Sequence, residues 1–207
     1  MVITDIVQQK NNEKRYSIFI DNNFAFGITD VDVLFYKLKI NETITQEKYN
    51  TIIETAVMER AKNIAFKFLG YKARTEKEVR EKLKKYEFKE DIIGETISIL
   101  KSYNYIDDRK YAEDFTKEKI KLNKYGSYRI KHMLYEKGVP RDIIDEIEFE
   151  EDSQLETAMS LLEKKYRNSE NPDYKEKQKI CGFLQRKGYS YDIINKAYNR
   201  VFGDYYE

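Results

Sequence analysis

Apolar positions along the chain fall into two regimes. Up to about residue 28 they alternate or gather in short β-branched and aromatic runs: Val2 to Val7, Arg15 to Ile20 around Tyr16, Ile18 and Ile20, and Phe24 to Ile28. Alternation over runs this short is the signature of β-strands. Lys10-Asn11-Asn12-Glu13 and Asp21-Asn22-Asn23 separate the runs. Asparagine tolerates positive φ and bonds back to nearby backbone, so both segments are turn candidates. The pattern predicts a three-stranded antiparallel meander, too small to be stable unless its apolar face rests on the next helices.

From there the period lengthens to three and four residues. Thr29-Asp30 has the chemistry to cap a short helix through Val33, Leu34 and Leu38, with Asn41 to Thr45 interrupting it. A long helix then starts near Thr45. Tyr49, Ile52, Ile53, Ala56, Val57, Ala61, Ile64, Ala65 and Phe68 fall on one stripe of it.

The strongest pattern is an internal repeat. Val79-x3-Leu83-x8-Ile92-Ile93, Ile130-x3-Leu134-x8-Ile143-Ile144 and Ile180-x3-Leu184-x8-Ile193-Ile194 share one spacing, each Ile pair preceded by an aspartate, Asp91, Asp142 or Asp192. Between leucine and isoleucines stand Glu87-Phe88, Gly138-Val139 and Gly188-Tyr189. Glycine there marks a helix end, and Pro140 (as a first helical residue), Ser190 and the aspartates mark the start of the next. Upstream, Ala65 with Phe68 and Leu69, Ala112 with Phe115, and Ala158 with Leu161 and Leu162 supply a first helix to each unit. Thr75 with Glu78, Gly126-Ser127, and Pro172-Asp173 with Glu176 begin the second helices, the first and last as capping boxes, and the connection before them lengthens from unit to unit. The pattern amounts to three units of three helices, each with a small core that neighbours must extend.

Composition narrows the function classes. With 8 glycines and 2 prolines in 207 residues, long helices are favoured over turn-rich β architecture. The single Cys181 excludes an internal disulfide, and no basic segment followed by an apolar stretch opens the chain, so a cytoplasmic protein without membrane contact is expected. No glycine-rich phosphate loop, CxxC or HExxH occurs, and His132 is the only histidine. His132 is expected on a helix surface and Cys181 as a packed thiol. Asp107 and Asp108 suit helix capping better than a carboxylate pair. The expectation is a non-enzyme with no catalytic residues, cofactor or metal.

Charge is balanced overall, 38 basic against 37 acidic, but not locally. Arg60 to Lys89 holds 11 basic and 4 acidic residues, Lys117 to Arg141 holds 8 and 2, and Lys164 to Tyr189 holds 8 and 3. Asp142 to Glu163 holds 9 acidic residues and no basic one. The cations flank the core leucines of the second helices and point away from the apolar stripe. A basic face built from Arg74, Arg80, Lys84, Lys85, Arg129, Lys131, Lys137, Lys179, Arg186 and Lys187 is the candidate partner-binding surface, with Tyr125, Tyr128, Tyr189 and Tyr191 interleaved.

Four stretches carry a family resemblance: Arg74 to Leu83, Tyr105-Ile106-Asp107-Asp108-Arg109-Lys110-Tyr111-Ala112-Glu113-Asp114-Phe115, Gly126 to Leu134 running into Lys137-Gly138-Val139, and Leu184-Gln185-Arg186-Lys187-Gly188-Tyr189. They resemble the RecX family of regulators of the RecA recombinase, over about residues 60 to 200. Glu87 departs from the glycine of the other two repeats. The resemblance implies a protein that docks along the groove of the RecA filament on DNA, in contact with RecA and with the DNA inside the groove. It also implies modulation of RecA ATPase, recombinase and co-protease activities, usually by inhibition, within DNA repair, recombination and the SOS response. The expected molecule is a mainly α monomer. A small antiparallel sheet with linking helices (1–60) precedes repeats at 61–106, 107–150 and 151–207, which stack into an elongated curved array. The rival reading is a free-standing DNA-binding protein using helix-turn-helix-like three-helix units.

Overall fold

A computed structural model describes residues 1–10, 12–167, 169 and 172–203; Asn11, in the first turn candidate, lies outside them. The chain divides into two compact units, Met1–Asp107 and Asp108–Glu207.

The first unit opens with β1 (Ile3–Gln9), β2 (Asn12–Ile20) and β3 (Asn23–Thr29), an antiparallel sheet in the order β1-β2-β3. Asp21 and Asn22 turn between β2 and β3 with φ of 49° and 66°, the left-handed pair that a tight hairpin requires. Ile18, Ile20, Phe26 and Ile28 put one face of the sheet into a core shared with the helices of the same unit. Thr29 then caps α1 (Asp30–Phe35) through a complete capping box with Asp32. This helix is shorter than its apolar pattern predicts. Lys37 turns left-handed at φ 50°, so Leu38 reaches the core from outside the helix while Leu34 stays 77% exposed. The Asn41–Ile44 stretch is not a mere interruption, because it hydrogen-bonds the start of β1 through Ile3 and the Met1 carbonyl.

Thr45 caps α2 (Gln46–Ile52), which continues through a π-helical segment (Ile53–Met58) into α3 (Glu59–Leu69). The sequence pattern predicts one uninterrupted α-helix here. The wider π turn makes the buried positions step by five, from Ile52 to Val57, and so turns the stripe to meet both sheet and repeat. Repeat one is completed by α4 (Glu76–Lys84), whose Thr75–Glu78 capping box is closed at both ends, and α5 (Glu90–Ser102). Val79, Leu83, Phe88, Ile92 and Ile93 all enter the core.

In the second unit, α6 (Asp108–Glu118) runs on through a π-helical segment (Lys119–Asn123) that leaves only a short link to α7 (Ser127–Glu136). The connection therefore does not lengthen steadily from repeat to repeat. Asp107 precedes α6 and Asp108 begins it, the positions expected of capping residues. Pro140 is the N-cap of α8 (Arg141–Asp145) rather than its first residue, and α8 has five residues where α5 has 13. Carboxylates at Asp145, Glu146 and Glu148 oppose the negative end of a longer helix. Ile143 is accordingly only half-buried, unlike Ile144.

Repeat three comprises α9 (Glu151–Lys165), α10 (Tyr174–Lys187) and α11 (Tyr191–Phe202). Asp173 caps α10, but Glu176 does not close the predicted box, its carboxylate instead accepting from Ser169 Oγ at 2.5 Å. Ile180, Leu184, Tyr189, Ile193 and Ile194 join Leu155, Ala158 and Leu162 in one core. The protein is thus mainly helical, with an N-terminal antiparallel sheet followed along the chain by three three-helix repeats.

Candidate partner-binding surface

Repeat one holds most of its predicted cations in ion pairs. Arg80 bridges Glu76 (2.7 Å from Nε) and Glu90 (2.9 Å from Nη1); Glu90 also meets Lys84 at 3.1 Å, and Lys101 joins on Glu76. Burial works against the charge of Glu76, yet hydrogen bonds from Lys101 and Arg80 hold its carboxyl below the usual range. Arg74 lies against the Phe68 ring at 4.1 Å and pairs with Glu78 at 3.7 Å, leaving its side chain 17% exposed. Of the predicted cations in this repeat, Lys85, at the end of α4, is the one exposed without an ion-pair partner among the described residues.

In repeats two and three, two predicted surface cations, Arg129 and Lys187, serve a joint instead. The first turn of α7 abuts the C-terminus of α10: Gly126 N–H donates to the Lys187 carbonyl at 2.9 Å and Tyr128 N–H to the Gly188 carbonyl at 3.0 Å. The unsatisfied donors of one helix start thereby meet the unsatisfied acceptors of another helix end. The approach is possible only between glycines, because a Cβ on Gly126 would lie 2.4 Å from Gly188 O and one on Gly188 2.3 Å from Arg129 Cβ. Gly188 also holds φ 90°. Around it, Arg129 Nη1 donates to the Arg186 carbonyl at 2.7 Å, Lys187 Nζ to the Asn123 carbonyl at 2.8 Å, and Tyr189 Oη to the Lys124 carbonyl at 3.1 Å. Both cations flank the Tyr125 ring, at 4.2 and 5.2 Å. Burial, then the charges of Arg129 and Lys165, push the Lys187 ammonium down from its ordinary value.

The ten predicted residues therefore divide. Lys85, Lys179 and Arg186 present exposed side chains with no ion-pair partner among the described residues, while Lys84 is exposed but paired. Arg129 and Lys187 tie the joint, Arg74 and Arg80 are paired, and Lys131 and Lys137 are half-buried, Lys131 near the Phe149 ring at 5.9 Å. Helical spacing puts these cations off the core stripe but cannot foretell such tethers. Of the interleaved tyrosines, Tyr128 and Tyr191 are exposed while Tyr189 is buried. The Gly126–Gly188 approach is absent from the sequence expectations, although both glycines stand at helix boundaries. His132 sits on the surface of α7, 3.8 Å from Glu136, and Cys181 is half-buried against the repeat-three core. Among the described residues no group of three or more His, Cys, Asp or Glu is placed to hold a metal, and no helix is long and apolar enough to cross a membrane.

Three tandem three-helix repeats that follow a small sheet in the chain, the second and third meeting at a joint of glycine and backbone, define a helical-repeat protein. Its segments match known domains in order. Residues 1–45 match the regulatory protein RecX N-terminal domain, and 61–100, 107–147 and 151–198 match the RecX first, second and third three-helix domains. The chain belongs to the RecX family of regulatory proteins. It is 37% identical to the regulatory protein RecX of Clostridioides difficile over 97% of this chain and 95% of that one. To its Listeria innocua counterpart it is 34% identical over 95% of this chain and 74% of that one. A crystal structure of regulatory protein RecX superposes with a TM-score of 0.64 at 26% identity, covering 97% of this chain and 98% of that one. The crystal structure of RecX from Lactobacillus salivarius gives 0.65 at 32% identity, covering 70% and 96%.

Proposed function

We propose that this protein is a cytoplasmic, monomeric regulator that binds the RecA nucleoprotein filament and inhibits its ATPase, recombinase and co-protease activities. The observation that carries this reading is the end-to-end match, in order, of the sheet and all three repeats to RecX proteins, which are regulators by name. Exposed cations on two of the repeats, Lys84, Lys85, Lys179 and Arg186, suit an acidic or polyanionic partner such as RecA with the DNA in its groove. Inhibition needs no catalysis here: a ligand that touches adjacent protomers shifts the filament between conformations by its differential affinity for them.

The test is RecA ATPase on single-stranded DNA. Substoichiometric protein lowers turnover on this reading, and unchanged turnover at saturation would sink it. A free-standing DNA-binding protein fits less well, since α8 has five residues followed by an acidic tract and the other third helices turn their Ile pairs into the core. Tight, steeply salt-dependent DNA binding without RecA would favour that rival.

A further inference from the structure

Arg15 and Arg60 stand apart from the basic face. Arg15, on β2, is only 9% exposed, and its buried Nε meets no hydrogen-bond acceptor among the described residues. Its guanidinium passes over β3 at Gly27, where a Cβ would lie 2.8 Å from Nη2, so the bare backbone there is what admits it. Arg60, on α3, rests on the rings of Phe88 and Tyr86, at 5.0 and 5.7 Å. Neither guanidinium has an ion-paired carboxylate among the described residues. Burial, and then the charge of Arg15, pull Arg60 down to about 10, with Tyr86, Asp32 and Glu87 acting in the opposite sense. Two neighbouring cations drawn partly out of water, with Glu87 and Asp32 acting on them only through the field and no carboxylate in an ion pair, are costly, and an anion seated between them would offset that cost.

A cleft of about 500 Å³ opens over this pair between the sheet and repeat one. Lys10, Arg15, Arg60 and Lys85 line it with Tyr86 and a single carboxylate, Glu87. Its volume suits a ligand of nucleotide size better than one side chain. Two guanidiniums on different elements, approaching from a strand and from a helix, need acceptor oxygens in more than one direction. A tetrahedral phosphate offers these, whereas the two coplanar oxygens of a carboxylate match a single guanidinium fork.

We propose that this cleft is a phosphate-binding site, with Arg15 and Arg60 as its recognition pair and Lys85 at its rim. The site stands independently of the RecA reading, because its test contains no RecA. The full chain is titrated with inorganic phosphate against chloride at matched ionic strength, with the arginine Nε resonances followed by NMR. Phosphate moves the Arg15 and Arg60 signals saturably and chloride does not. Arg60→Gln weakens binding by about tenfold, the usual effect of losing one charge-assisted contact. Should that variant misfold, Glu87→Gln keeps the question open to refutation: removing the competing carboxylate tightens phosphate about threefold. Lys164→Gln, on the exposed face of α9 and outside both surfaces, leaves the affinity unchanged. ATP and a short oligothymidylate then separate free from strand phosphates, and a response to either supports the site. No phosphate-specific shift, full affinity in Arg60→Gln, or an equal response to acetate overturns it; the last would reassign the pair to carboxylates.

Discussion

Glu87 holds a backbone conformation that its two counterparts give to glycine. Its φ is 62°, beside 80° at Gly138 and 90° at Gly188. A side chain in that region costs about 1 kcal/mol, and its retention in repeat one has a local reason: its carboxylate supports the charges of Arg15 and Arg60. For an exposed carboxylate that support is worth roughly 0.5 kcal/mol. Glu87→Gln loses the charge and keeps the strain, whereas Glu87→Gly loses the charge and relieves the strain. Urea unfolding midpoints should therefore rank Glu87→Gly highest and Glu87→Gln lowest, each about 0.5 kcal/mol from wild type; a Glu87→Gly midpoint no higher than that of Glu87→Gln would mean that the left-handed strain is negligible. Tyr189 offers a second residue-scale test. Burial pushes its hydroxyl from 10 up to about 12. Between those values the unfolded chain loses a proton that the fold retains, so stability is intact below pH 10 and falls as pH rises toward 12. The loss from this group is about 3 kcal/mol at most. Tyr189→Phe should flatten that part of a stability–pH profile, at the expense of about 1 kcal/mol near neutrality for the bond to the Lys124 carbonyl.

Among the elements, the joint of α7 with α10 carries the sharpest expectation. Gly188→Ala meets both a positive φ and a backbone atom of Arg129 at 2.5 Å; Gly126→Ala meets only the second kind of obstacle, the Gly188 carbonyl. Each should destabilise the second unit by about 2–3 kcal/mol, with Gly188→Ala the worse. Thermal unfolding checks this, and a neutral Gly126→Ala would mean the joint opens readily. The same joint marks where the sequence stops being informative. Periodicity placed the sheet, the caps at Thr29, Thr45, Thr75 and Ser190, and the three helical repeats, because each is set by neighbours a few residues away. The π turns at Ile53–Met58 and Lys119–Asn123, the truncation of α8 and the Gly126–Gly188 approach answer to tertiary packing or to accumulated charge. The ten basic residues were legible as off-stripe positions, but nothing local distinguishes Lys179, left exposed, from Lys187, tied to the Asn123 carbonyl.

At the scale of the whole molecule, near-neutral net charge conceals unequal availability of cations. Repeat one carries the densest basic sequence, yet Arg80 and Lys84 are engaged by Glu76 and Glu90 in a network that offsets them. Repeat three leaves Lys179 and Arg186 exposed and without ion pairs among the described residues. Association with a charged partner is governed by field that is not already neutralised, so available cations outweigh mere density. On the RecA reading proposed above, reversing charge at Lys179 and Arg186 together should therefore slow association with the filament more than reversing Arg80 and Lys84, measured by surface-immobilised filaments at low ionic strength. The difference should shrink toward zero as ionic strength rises toward about 1 M, where the Debye length is about 3 Å. The Arg80 and Lys84 pair should instead show its effect in stability, since reversal places like charges against Glu76 and Glu90. Equal slowing by both pairs, with stability unchanged, would mean that the ion-pair network is loose in solution and that sequence density alone sets the binding face.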